Sequence, residues 1–362
     1  MNTKIIQWMA GFSFLLLLIG LWFLRPQNIL QGNKAIYHWK TVFNKSSYTS
    51  AEDSFLNRHQ IRKVYIKMLD VDYNVAAGIF PASKTALNYY IEKGMDSTEY
   101  VPVVYITNEV LKHLNKDNYH EFANNFLSQA LRIYSQTEIL PKEIQIDCDW
   151  TKATKDSYFN LLLAMKKIAP QFMYSVTLRL YPYKYKDELG VPPVDRVMLM
   201  LYNMENAKNI SNINSIFNFN EALKYLKRKD YPLPMDVALP VFSWTLVFRN
   251  GMFLKVYSDN IVPKLHGQNA YVYEKEYTLT PLANNKFLVQ TVERNGYSNY
   301  NLKAGDILKI ESCGAQELRQ SNLLLRNLPL TQNSTLALFD LDMDELNKIT
   351  YENIEAAYSL PH

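Results

Sequence analysis

Asp147 and Asp149 lie in the stretch EIQIDCDWT (Glu143 to Thr151), where Gln145, Asp147 and Asp149 alternate with Ile144, Ile146, Cys148 and Trp150. On a strand this spacing puts both carboxylates on one face and the apolar residues on the other. Two buried acids one pleat apart cannot both ionise cheaply, so one of them is expected to hold its proton to higher pH, as general-acid chemistry requires. The bland alternative is a structural polar interior in which the acids cap helices or pair with Arg179 and Lys40.

Such a strand needs neighbours to place it. Eight runs read as strands: 35–43, 63–71, 101–109, 144–150, 173–181, 196–204, 236–244 and 334–342. Amphipathic helical patterns separate several of them, the clearest at 119–136, 154–169 and 220–229, with Thr154 expected to cap the second. Strand alternating with helix implies parallel pairing through right-handed crossovers, and eight such units close into a (β/α)8 barrel over residues 34–362. An open doubly wound sheet is the competing architecture. It would normally bring a glycine-rich phosphate turn after the first strand, and with 11 Gly in the whole chain none is present. The connection between the seventh and eighth strands is long, and residues 262–313 read as a small β-rich insertion with turn signals at Asn295-Gly296 and Gly305-Asp306.

In a barrel the C-terminal strand ends face the ligand site. Here they carry Trp39, Glu109, Asp147, Asp149, Arg179, Tyr181, Tyr202, Asn203, Glu205, Trp244 and Asp340. Acids and amides suit sugar hydroxyls, and aromatic faces stack on sugar rings, so the expected partner is a carbohydrate. Asp149 and Asp147 are the catalytic candidates, Tyr202 and Asn203 would orient a polar group of the substrate, and Trp39 and Trp244 would stack on it. Glu109, Glu205, Arg179 and Asp340 complete the expected substrate-binding set. No metal or cofactor is expected, because the six His show no ligand spacing and no phosphate loop occurs.

The motif IQIDCDWT resembles the fourth-strand signature of glycoside hydrolase family eighteen, the chitinase-like barrels, and MLYN (Met200 to Asn203) is similar to that family's sixth-strand motif. The longer run from Ile144 to Pro170, with YSVTLRLY and VDRVMLMLYNM after it, looks closer still to uncharacterised bacterial chitinase-like proteins. The resemblance covers roughly 143–244 and implies a TIM barrel acting on a glycan. It also exposes a departure, since Thr151 stands where the family's proton-donating Glu would be. A threonine cannot protonate a leaving glycosidic oxygen near neutral pH. Two readings therefore stay open: a glycoside hydrolase using other acids, or a catalytically inactive glycan-binding or scaffolding barrel.

Composition bounds the rest. A chain of 362 residues, 48% hydrophobic and 20% charged, is globular, and its net charge of +4 is scattered rather than striped, so nucleic acid is not an expected partner. Ile5 to Leu24 is an apolar run long enough to cross a bilayer, with Lys4 before it and Arg25 after it. Residues 1–25 therefore read as a membrane anchor or signal segment, the anchor being favoured by the lack of a small-x-small cleavage site, and the barrel is expected in the cell envelope, outside the cytoplasm. Two cysteines are too few for a disulfide framework.

Overall fold

The computed structural model describes residues 32–46, 50–90, 97–115, 118–134, 140–227, 230–265, 277–292 and 300–360. The apolar run at 5–24 lies outside the described residues, among which no helix is long and apolar enough to cross a membrane.

Eight parallel strands close on themselves. They are β1 (Asn33–His38), β2 (Lys63–Asn74), β3 (Glu99–Ile106), β4 (Glu143–Asp147), β5 (Met173–Leu178), β6 (Arg196–Met200), β7 (Met235–Pro240) and β8 (Thr335–Phe339). Each pairs with its successor, and β8 returns to β1 through Asn33↔Thr335 to Ile36↔Leu338. The (β/α)8 barrel expected from the strand and helix spacing is present, and the open sheet is excluded. Outward residues of β4, Ile144 and Ile146, are fully buried under helices such as Lys155–Ile168, because a parallel sheet covered on its outer face has no solvated side.

The lumen is filled rather than hollow. Near its lower end Tyr37 stacks on Tyr65 with ring centroids 4.8 Å apart, and the Tyr37 hydroxyl donates to Gln145 Oε1 at 2.6 Å. Glu143, fully buried, accepts from Lys63 Nζ at 2.6 Å and from Ser175 Oγ at 2.5 Å. Gln145 and Asp147 thus face inward, as the period-two reading of β4 requires.

Three local expectations are corrected. Thr154 does precede the helix Lys155–Ile168, but its hydroxyl makes no capping bond; it donates to Asn108 Oδ1 at 2.6 Å and accepts the Thr151 N–H at 2.9 Å. The seventh strand does not reach Trp244. It stops at Pro240, Val241 N–H donates to Phe339 O at 2.7 Å, and Ser243–Arg249 leaves to pair with Ile307–Ser312 in a second sheet. That sheet is antiparallel, with the order Met252–Tyr257, Ser243–Arg249, Ile307–Ser312, Lys286–Val292, Tyr277–Leu282, so the β-rich insertion starts at Ser243 rather than at 262. Val247, Leu279, Val289 and Leu308 give it a core of its own. Its first hairpin turns at Asn250-Gly251, both with positive φ (53° and 76°), the conformation a two-residue turn between twisted strands demands.

Candidate functional site

Asp147 is the last residue of β4 and is 7% exposed. Thr177 Oγ1 on β5 donates to its Oδ1 at 2.6 Å, and Tyr105 on β3 stands level with it in the ladder. Burial raises its pKa from the ordinary carboxyl value to about 6; the Thr177 hydrogen bond and Arg179 oppose the rise, while Asp149 and Asp70 add to it. An acid so placed exchanges its proton close to neutral pH. Like-charge repulsion from Asp149, the cause expected from the sequence, is therefore secondary to desolvation.

Asp149 lies two residues beyond Asp147, past the end of the strand, and its side chain is 47% exposed. Arg179, just after β5, grips it in a fork: Nε donates to Oδ1 and Nη2 to Oδ2, each at 2.7 Å. Planar bidentate pairing of this kind fixes both partners. Thr151 is exposed, and its hydroxyl lies 3.1 Å from that of Thr154.

Above the lumen sits an aromatic floor. Tyr202 is buried and stacks on Phe339 at 4.9 Å; Phe339 in turn lies 5.4 Å from both Tyr37 and Trp39. Trp39 is half-buried, with the Lys67 ammonium 5.6 Å from its ring centre, and Lys67 also pairs with Asp70 at 3.0 Å. Asn203 follows Tyr202 in the left-handed region (φ 54°), which asparagine tolerates better than most residues, and its Oδ1 is buried without a donor among the described residues. Asp340, after β8, is raised to about 7 by burial and by Asp342, with Lys40 opposing.

Asp149, Arg179, Tyr202 and Asn203 line one cleft of about 340 Å³ at the ends of β4, β5 and β6, and Asp147 immediately precedes its lining residue Cys148. Other predicted residues lie apart from it. Glu109 is on the helix Asn108–His113, where it pairs with Lys112 at 2.7 Å and His113 at 3.4 Å on the exposed side. Glu205 accepts from Asn218 Nδ2 at 2.5 Å, which ties down the loop after β6. Trp244 donates its Nε1–H to Glu311 Oε2 at 2.8 Å within the insertion. Sequence reasoning missed Tyr105 and Tyr225, while Tyr181 was among the strand-end candidates. Tyr105 was within reach, since it shares an alternating face of β3 with Val103; Tyr225 ends the helix Phe219–Tyr225 and carries no strand-end signal. Among the described residues no group of three His, Cys, Asp or Glu side chains is placed to hold a metal ion.

No family model matches the sequence. No curated protein sequence matches it either. Among solved structures the chain is similar to the spore cortex-lytic enzyme SleL of Bacillus megaterium QM B1551, with 14% identity over 92% of this chain and 75% of that one and a TM-score of 0.48. It is also similar to SleL of Bacillus cereus (12% identity, 92% and 76% covered, TM-score 0.49) and to a chitinase from Bacteroides thetaiotaomicron (9% identity, 92% and 99% covered, TM-score 0.48). The barrel itself is established by strand closure in this chain, not by these overlaps.

Proposed function

We propose that this is a glycoside hydrolase-like barrel that binds a glycan at its C-terminal mouth and does not cleave it by the chitinase route. The observation that carries the reading is the Arg179 fork on both oxygens of Asp149. Both carboxylate oxygens are engaged by the guanidinium, which holds the side chain as a partner of Arg179 rather than aimed at a scissile bond. Thr151, at the position of the family's acid, offers only a hydroxyl turned to Thr154. What remains suits recognition: half-buried Trp39, exposed Tyr181 and the donorless Asn203 Oδ1 are the mixture of apolar face and polar edge that sugars require. The apolar run at 5–24 supports delivery to the cell envelope, by an uncleaved anchor or a signal segment.

The test is to titrate the protein with soluble N-acetylglucosamine oligomers, following tryptophan fluorescence and the release of reducing ends in parallel. Saturable binding without release is expected, with binding weakened in Trp39→Ala. The opposing reading, a hydrolase, is favoured by one observation, the Asp147 pKa of about 6. Release by the wild type that disappears in Asp147→Asn would establish it instead.

A further inference from the structure

The cleft at the ends of β4–β6 has an electrostatic feature that a neutral sugar leaves unused. Among its lining residues only Asp149 and Arg179 are charged, and they neutralise one another. Arg179 spends Nε and Nη2 on Asp149, so its Nη1 group has no acceptor among the described residues. Tyr181 and Tyr225 also line the cleft. Tyr181 packs on Tyr185 at 4.6 Å, and the Lys184 ammonium lies 5.0 Å from the Tyr185 ring centre and 5.1 Å from that of Tyr225. Neighbouring cations are matched by carboxylates, Lys152 by Glu188 at 2.9 Å and Lys186 by Asp230 at 2.8 Å. Lys184 has no carboxylate partner among the described residues; two tyrosine faces hold it, and one of them, Tyr225, lines the cleft.

We infer that this cleft takes a sugar bearing a carboxylate, with Lys184 as its counter-ion, the Arg179 Nη1 group as its hydrogen-bond donor and Asn203 Oδ1 as acceptor for a hydroxyl or amide N–H of the same sugar. The inference rests on the glycan-binding reading above and narrows it to one substrate class. A cation held against Tyr225, which lines the cleft, together with the spare N–H groups of Arg179 in that lining, favours an anion, and the tyrosine walls favour a ring over a bare ion. Asp149 does not repel the ligand, since Arg179 already balances its charge. Both a uronic acid and a lactyl-ether amino sugar carry the required group.

Binding of N-acetylmuramic acid, glucuronic acid and N-acetylglucosamine to the full chain, measured by calorimetry, separates these cases. N-acetylmuramic acid differs from N-acetylglucosamine by its lactyl carboxylate, so the pair isolates the charge. One or both acidic sugars should bind roughly tenfold more tightly than N-acetylglucosamine, and Lys184→Gln should remove that advantage while leaving the neutral sugar unaffected. Preference for glucuronic acid over N-acetylmuramic acid would assign a uronate source, and the reverse a lactyl ether. Equal binding of acidic and neutral sugars overturns the carboxylate inference and leaves the glycan reading intact. An acidic preference that survives Lys184→Gln removes Lys184 from the site. Binding of no sugar, by these three or by N-acetylglucosamine oligomers, overturns both proposals.

Discussion

The lower lumen and the mouth of the barrel are built from the same residue types but handle charge differently. Below, each buried acid faces a cation: Glu143 has Lys63 at 2.6 Å, and Asp236 has Arg196 at 2.9 Å and the Thr335 N–H at 2.6 Å. At the mouth, among the described residues, Asp147 has a threonine hydroxyl and no cation bonded to it, Asn203 Oδ1 has no donor, and the Asp149–Arg179 pair is half in solvent. A region made only to hold strands together satisfies its polar groups internally. Polar groups left short of partners beside a cleft are the ones the proposed glycan would complete.

The largest effect should come from disturbing the satisfied end. Lys63→Met removes the cation from fully buried Glu143, and the fold should lose about 3–4 kcal/mol in urea denaturation near pH 8, because an uncompensated buried charge remains. A loss under about 1 kcal/mol would mean that Ser175 and the tyrosines compensate Glu143 unaided.

Asp147→Asn sharpens the contrast at the other end. The folded-state pKa of about 6 exceeds the ordinary value of 3.8, so the fold binds this proton more tightly than the unfolded chain does. The stability Asp147 contributes is complete below about pH 4 and is lost as pH rises through 6. The asparagine variant should therefore match the wild type at pH 4 and exceed it by about 2–3 kcal/mol at pH 8. A variant less stable than the wild type at pH 8 would mean that the Thr177 bond outweighs burial.

Arg179→Gln should have the smallest effect on stability, under about 1 kcal/mol, since its side chain is 30% exposed and that of Asp149 47%. A thermal shift like that of Lys63→Met would place the fork among the structural pairs.

These two ends were unequally legible in the sequence. The inward face of β4 followed from alternation alone, and the pairing of a strand-end Asp with Arg179 was one of the readings the residues allowed. Glu143 and Lys63 gave no such sign, because they meet only through a barrel that brings together positions far apart in sequence. Trp244 misled for a local reason: DVALPVFSW reads as one apolar run, whereas the chain changes sheets just after Pro240. Proline within an apparent strand is itself a warning of an end. The hairpin at Asn250-Gly251 carried the strongest short-range turn signal in that segment and went unread, so the insertion was expected too late in the chain.

The insertion leaves and rejoins the barrel at one place. Ser243 is paired with Ser312, and Cys313 N–H donates to Phe242 O at 2.9 Å. To β7 and β8 the whole antiparallel sheet therefore behaves as a short tether once that first rung has formed, and the entropy of closing the barrel is set by the residues outside it, 241–242 and 313–334. Changes in length beyond the rung leave the strand register untouched. The joint divides the chain into a barrel held to its geometry by strand closure and an appended sheet whose turn lengths do not enter that closure.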